Sequence, residues 1–487
     1  MGPVGLALVG AALLSIAARP WGAGLLAWIA LVPLVVALDR SKGPWRGASV
    51  AWIAWIGVAV VAFEGVLPVV PWAFVPIVVL TGAGWAVVGA AYVVVRNRLG
   101  ERTALAFLPT AIVAAEFVAA RRGVFGDLAN PITALGYTQF GLPLHPAAGW
   151  SGVSGVTFAV VAINVVVLAL LRRKRHVGLA ATLGGVALAA LVLPVPGQTA
   201  RPDAEPSLRV ALVQDAHASI DVLMARMDLG AEDRLLDRYQ ALERTIDLDQ
   251  VDLVVWGETS LPSAVRGGTL PTVAASAMRP GTSYLVGSRE RAEGSWFNAS
   301  LMVRDGRIQQ AYRKRALVPW IERGYDAGSG SGAMNVGDHR VGTGVCLDSA
   351  FGSLGRDAVV AGAEVLAYVT DDTFAGRTTT PELHMRVTAF RAAETGRAVA
   401  FVNRSGPSGA FGPGGATLAR LPHGQPAIVA VDLPVATAVT PYVLLGDWLG
   451  VLAAAVTIVV LFVAWRRPVT VRGGGEVDVR AEPWPRV

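Results

Sequence analysis

Charge is what this sequence has least of. Only 16% of its residues are Asp, Glu, Lys or Arg, against about 25% in an ordinary soluble protein, so much of the chain is not built to face water. Lysine is nearly missing: of 42 Lys and Arg residues, only Lys42, Lys174 and Lys314 are lysines. Cys346 is the single cysteine, which excludes an intramolecular disulfide and a cysteine-based zinc centre. The six histidines show no metal-ligand spacing such as HExxH, so neither metal nor cofactor is expected. No basic stripe with interleaved aromatics is present, so nucleic acid is not an expected partner despite the net charge of +6.

What fills the chain instead is apolar: 53% of its 487 residues are hydrophobic. The charge deficit is uneven. Charges are sparse before about residue 200, common to about 435, and nearly absent again until Arg466. Lipid, then water, then lipid is the implied order of solvents. A membrane-crossing helix needs about 20 mainly apolar residues, and candidate spans lie near 3–18, 22–38, 48–67, 70–95, 103–120, 152–171, 178–195 and 443–465. The first lacks both a positively charged leading stretch and a small-x-small cleavage site, so it reads as a retained anchor. Cationic clusters at Arg40, Lys42 and Arg46, at Arg96, Arg98 and Arg102, at 172–175, and at Arg466 and Arg467 occupy alternate loops. Lys and Arg favour the cytoplasmic side. Eight spans with both termini inside satisfy these clusters, and the hydrophilic block at 200–440 then lies outside the cell membrane. Glu64 and Glu116 sit inside apolar spans, close to span ends; buried function and interfacial structure are both open for them.

The hydrophilic block alternates strands and helices. SLRVALVQ (207–214), VDLVVWGE (251–258), SYLVGS (283–288), NASLMVR (298–304), HRVGTGVC (339–346), EVLAYVT (364–370) and AVAFVNR (398–404) read as strands. Continuous apolar runs such as VDLVVW suit strands covered on both faces. Helical spacing marks 225–248 and 382–396, the latter ending in Gly396. An α/β domain follows.

Three residues in this block draw attention together. Glu258 follows a buried strand directly, where α/β proteins project side chains into their ligand crevice. Cys346 closes another strand and is the only thiol; as a nucleophile it needs a base or cation beside it to lower its pKa from about 8.5. Lys314 is the one lysine of an otherwise Arg-only block, a compact charge suited to an oxyanion rather than a planar fork.

Glu, Lys and Cys in this order resemble the nitrilase superfamily triad, and nearly the whole chain is similar to the apolipoprotein N-acyltransferase family. VVWGETSLP, with Trp256 and Pro262, resembles the family's glutamate segment; YRKRALVPWIERG, with Lys314, Leu317, Val318, Pro319 and Glu322, resembles the lysine segment; GVCLD carries the cysteine. LGYTQF (135–140) and GWSGVSGVTF (149–158) resemble the stretch before the sixth span. The sequence departs from the family at Leu347 and Asp348 after the cysteine, at Trp320 and Ile321 before Glu322, and at Asn403 and Arg404; these put substrate fit and rate in question.

The resemblance implies a multi-pass α-helical membrane domain plus an extracytoplasmic α/β nitrilase-like domain, an α-β-β-α sandwich. The expected division is seven helices over 1–200, a catalytic domain over 205–437, a last membrane helix over 443–465 and a cytoplasmic tail over 466–487. It further implies transfer of an acyl chain from a phospholipid to the N-terminal α-amine of a diacylglyceryl-cysteine lipoprotein through a Cys346 thioester. Glu258 would be the base and Lys314 the oxyanion donor, with Glu322, Trp256, Trp320 and Asp348 supporting or contacting substrate. Two alternatives stand beside it: a membrane-tethered amidase of small molecules, and a non-catalytic scaffold for a polyprenol-phosphate mannose synthase.

Overall fold

The computed structural model describes residues 1–20, 22–172, 176–198, 206–217 and 229–467. The expected tail beyond 467, the cations at 173–175 and the start of the expected 225–248 helix lie outside the described residues.

Eight apolar helices carry the lipid-facing part among these residues: α1 (Pro3–Ala18), α2 (Gly24–Asp39), α3 (Pro44–Val66), α4 (Pro71–Leu99), α5 (Glu101–Ala119), α6 (Val153–Leu171), α7 (Val177–Val192) and α12 (Trp448–Arg466). Five of them, α3 to α6 and α12, are long and apolar enough to cross a membrane, whereas α1, α2 and α7 are shorter. Sixteen residues of α-helix rise only about 24 Å, somewhat under the roughly 30 Å hydrocarbon core. All three coincide with the apolar runs expected near 3–18, 22–38 and 178–195.

Small side chains let the helices approach. Gly47 of α3 and Gly89 of α4 face one another so closely that a Cβ on either would lie 2.2–2.5 Å from the other's carbonyl oxygen. α2 is interrupted at Leu31, ahead of Pro33. Asn164 of α6 repairs the break: its Oδ1 accepts the Leu31 N–H at 2.9 Å and its Nδ2 donates to the Ala27 carbonyl at 2.7 Å. Backbone groups in lipid must be satisfied internally, and a buried amide does it here.

One end of the bundle is cationic. Arg96 donates to the carbonyls of Leu38 and Ser41 at 2.6 and 2.7 Å. Arg98 donates to that of Arg467 at 2.8 Å. Arg172 pairs with Asp39 and Glu101. The opposite end carries the α/β part. There Glu64 accepts from the Thr379 N–H and hydroxyl, and Gly65 N–H donates to Thr380 Oγ1 at 3.1 Å. Asp447 at the start of α12 accepts from Ser154 at 2.8 Å, and Trp448 Nε1 donates to the Trp150 carbonyl at 2.9 Å. Glu116 is held within the bundle by the Leu135 N–H and Thr157 hydroxyl. Both intramembrane acids are thus bound by structural partners.

The α/β part has two sheets. One is ordered β13-β1-β2-β4-β5-β6, with β3 also on β4; the other is β12-β11-β10-β9-β8-β7. The first comprises β1 (Ser207–Gln214), β2 (Leu253–Trp256), β3 (Leu261–Arg266), β4 (Ser283–Ala292), β5 (Ser295–Arg304), β6 (Arg307–Arg313) and β13 (Ala427–Pro434). The second comprises β7 (Ala333–Val336), β8 (His339–Val345), β9 (Val365–Thr370), β10 (Ala398–Asn403), β11 (Ser408–Phe411) and β12 (Thr417–Leu421). Side chains alternate across a strand. Leu253, Val255, Val365, Ala367, Val369, Ala400 and Val402 therefore meet between the sheets. Val254 and Trp256 point outward onto α8 (Leu229–Glu243) and α9 (Thr272–Ala277). Leu366, Tyr368, Val399 and Phe401 point outward onto α10 (Gly352–Val360) and α11 (Thr380–Thr395). The result is the α-β-β-α sandwich, with its central strands apolar on both faces.

Glu64→Ala removes the acceptor of two donors at the junction of bundle and sandwich. A loss of about 1–3 kcal/mol is expected, read as a lower thermal midpoint of the detergent-solubilised protein; Glu64→Gln, which keeps one acceptor, should lose less.

Candidate active site

Parallel strands expel their chemistry at one rim. β2 runs parallel to β1 and β4, and β9 runs parallel to β8 and β10. β6 is antiparallel to β5, itself antiparallel to β4, so it shares the direction of β2. Glu258, Lys314, Cys346, Asp371, Asp372 and Arg404 all follow the carboxyl ends of such strands, and Asn403 closes β10, where α/β sheets hold ligands. The two rims are stitched together: the Thr370 carbonyl accepts from both Glu258 N–H at 3.2 Å and Arg404 N–H at 3.0 Å. Gly287 makes room for this turn. A Cβ there would lie 2.4 Å from the Glu258 Cα.

Lys314 lies at the centre, 1% exposed. Its ammonium is 3.4 Å from Glu258 Oε1 and 2.9 Å from Glu322. Asn298 of β5 splits its amide between the two acids, donating to Glu258 Oε1 at 2.6 Å and Glu322 Oε1 at 2.7 Å. Glu258 Oε2 accepts the Asp371 N–H at 2.9 Å. Glu322 Oε2 accepts the Val318 N–H at 2.7 Å, which closes the loop after Lys314 on itself.

Cys346 begins a short helical turn (Cys346–Ala350) directly after β8, with φ at +48°. This left-handed conformation is uncommon outside glycine, and the sharp turn lifts the thiol out of the strand line. Asp348 fixes it from beneath. The fully buried carboxylate accepts from the N–H groups of Val345 at 3.0 Å, Ala316 at 2.7 Å and Arg315 at 3.2 Å, and from the Tyr312 hydroxyl at 2.9 Å. One side chain thereby ties the cysteine turn to the segment bearing Lys314.

Burial dominates the electrostatics. Burial pushes Glu258 up to about 7, opposed by Lys314 and assisted by Glu322 and Asp371. Burial works against the Lys314 charge, but Cys346, Glu258, Glu322 and Asp348 outweigh it and hold its pKa well above the ordinary value. Burial and Glu258 push the Cys346 thiol up, with Lys314 pulling the other way. The sequence led to a thiolate lowered by neighbouring charge. In the resting site the reverse holds, because burial, seconded by the acids facing the sulfur, outweighs the ammonium. The thiol keeps its proton until a base removes it.

The other expected site residues separate by position. Trp320 stands beside Glu322 in the loop, φ +65°, its ring 6.0 Å edge-on from Trp72 of α4. Trp256 does not reach the crevice. It is fully buried, stacked 4.3 Å on Tyr239 with Nε1 donating to Glu243 at 2.8 Å, because the alternation that sends Val255 inward sends Trp256 to the helix layer. Sequence reasoning missed Asn298, Asp371, Asp372 and His384. Asn298 was visible only as a strand residue; an amide flanked by apolar neighbours was the available signal. Arg404 is fully buried between Asp215 at 3.0 Å and Asp371 at 3.3 Å.

Sandwich and rim together define a nitrilase-type carbon–nitrogen hydrolase fold with a buried Glu, Lys and Cys. Residues 209–441 match the carbon-nitrogen hydrolase family model, and residues 10–166 match that of the apolipoprotein N-acyltransferase N-terminal domain. The chain is similar to the apolipoprotein N-acyltransferase of Chlorobaculum tepidum, 26% identical, over 90% of this chain and 92% of that one. It is likewise similar to that of Gloeobacter violaceus, 26% identical, over 96% and 95%. Among solved structures, Saccharomyces cerevisiae Nit3, a nitrilase-superfamily member, aligns at 19% identity over 47% of this chain and 90% of that one, with a TM-score of 0.38. Over nearly its whole length the chain is thus similar to apolipoprotein N-acyltransferases.

Asp348→Asn keeps the size but loses acceptor capacity for the Val345, Ala316 and Arg315 N–H groups and Tyr312. One poorly satisfied buried group costs about 1–3 kcal/mol. If that cost falls on the active geometry, turnover drops roughly tenfold to a hundredfold, read as the rate of product formation with the thermal midpoint followed in parallel.

Proposed function

We propose that this membrane protein transfers a fatty acyl group from a phospholipid to the N-terminal α-amine of a diacylglyceryl-cysteine lipoprotein, with Cys346 as carrier. The observation that carries the reading is the buried Lys314 ammonium, bonded to Glu258 and Glu322 and coupled electrostatically to the Cys346 thiol.

In the first half, Glu258 takes the thiol proton as sulfur attacks the ester carbonyl. Lys314 turns one of its three donors to the tetrahedral oxyanion. The carbon–oxygen bond breaks, Glu258 returns the proton to the departing lysophospholipid, and a thioester remains. In the second half the lipoprotein's free amine attacks the thioester, Glu258 takes a proton from nitrogen and hands it to sulfur, and the amide departs. Splitting the transfer in two gives ping-pong kinetics. A base whose pKa lies near neutrality suits both proton transfers. Glu322 holds Lys314 and the loop that carries Trp320, and Trp320 anchors that loop toward Trp72. Both substrates carry acyl chains, which explains why a hydrolase-type sandwich is mounted on a lipid-facing bundle.

The cationic end of the bundle, away from the sandwich, favours the cytoplasmic side, which supports a sandwich outside the cell membrane. The relatives reported above favour neither the small-molecule amidase nor the mannose-synthase scaffold.

Intact-mass spectrometry of the protein incubated with phospholipid should show one acyl adduct, released by hydroxylamine and missing from Cys346→Ser. An unmodified wild-type protein would reject the carrier role. Acylation of wild type should rise with pH through about 7 as Glu258 loses its proton, falling roughly tenfold per unit below it. Glu258→Gln should lose that limb together with most of the rate.

A further inference from the structure

A second charged pair lies close to the sulfur. His384 of α11, 10% exposed, and Asp372, 2% exposed, face each other through His384 Nδ1, 3.0 and 3.1 Å from the two carboxylate oxygens. Asp372 is itself clamped by Asn403, whose Nδ2 donates to Oδ2 at 2.8 Å and whose Oδ1 accepts the Asp372 N–H at 3.1 Å. The other ring nitrogen, Nε2, lies 3.2 Å from the Cys346 carbonyl oxygen and 2.9 Å from Ser349 Oγ. The Cys346 sulfur, an Asp372 oxygen and a His384 nitrogen all fall within 4.8 Å of one another.

A carbonyl oxygen can only accept. Nε2 must therefore carry a proton to bond Cys346, while Nδ1 gives its own to Asp372. Both contacts together need an imidazolium. Burial opposes that charge, but Asp372 and the Cys346 carbonyl outweigh it and raise the His384 pKa.

We propose that the Asp372–His384 pair is a positioning device for acyl transfer: by gripping the Cys346 carbonyl it sets the Cys346–Leu347 peptide so that the Leu347 N–H is aimed at the oxyanion formed on Cys346. In a trans peptide the carbonyl and the N–H point in opposite directions, so fixing one aims the other. The left-handed φ of Cys346 makes such a grip necessary, since that conformation persists only when its surroundings over-determine it. The proposal rests on Cys346 being the acyl carrier, and it deepens that reading rather than replacing it.

Charged and titratable groups facing His384 are Asp372, Cys346 and Glu258, while His423 acts on Asp372 and has Arg377 and Glu382 beside it. Because the imidazolium is the competent form, its loss gives a falling limb at high pH, opposite in sense to the rising limb of Glu258.

The test uses two reagents on the full-length protein, with Cys346 as its sole thiol. A p-nitrophenyl ester acylates sulfur through an oxyanion; iodoacetamide alkylates it without one. His384→Ala should slow acylation about a hundredfold, the scale of a lost oxyanion donor, and leave alkylation within about threefold. His384→Gln, which keeps a donor and does not titrate, should recover to within about tenfold of wild type and lose the falling limb. Equal losses in acylation and alkylation, no loss at all, or a His384→Gln protein no better than alanine would each overturn the proposal. Wild type that reacts with the ester but not with phospholipid would instead count against the proposed donor alone.

Discussion

A single ammonium group buried among carboxylates is the constraint from which the site follows. Lys314 cannot keep its charge at 1% exposure without compensation. It is compensated twice, by Glu258 from the end of β2 and by Glu322 from its own loop. Removing either acid leaves one positive and one negative group facing a protonated thiol; keeping both leaves an excess of negative charge. Burial, with that excess added to it, raises Glu258 toward neutrality and keeps sulfur protonated at rest. In the proposed mechanism, the burial and crowding that poise Glu258 as base are also what keep the Cys346 thiol quiet.

Precision here comes from backbone more than from side-chain length. At the rim the Thr370 carbonyl accepts from both sheets, and a glycine at 287 permits the approach. Asp348 gathers N–H groups on both sides of the crevice, so the cysteine turn and the lysine segment move as one body. The departure from the family pattern at this position still provides a carboxylate, and its fourfold contact explains why an acid is wanted there. On the membrane side, Glu64 joins α3 to the start of α11, the helix that carries His384.

The central strands were legible in the sequence because burial on both faces leaves continuous apolar runs, as in VDLVVW and EVLAYVT. The edge strands were not. β6 reads RIQQAYR and β12 reads TLARL, half-exposed segments whose polar faces blur into loop. The short helices α1, α2 and α7 were legible as apolar runs, but the break at Leu31 was not, since its remedy, Asn164, lies 133 residues away. Lys314 stood out against an arginine background. Asn298, Asp372 and His384 carried no such contrast; their meaning exists only where three elements converge. Trp256 misled because it is the last residue of β2 and points to the outer helix layer, whereas Glu258 lies beyond the strand end.

The lone sulfur has one more consequence. A sulfenic acid formed at Cys346 by peroxide has no neighbouring thiol within the chain with which to condense, so oxidation runs on toward the irreversible sulfinic state. With 6% of the residue exposed and its proton retained at rest, the sulfur's defence against that ending is its own reluctance.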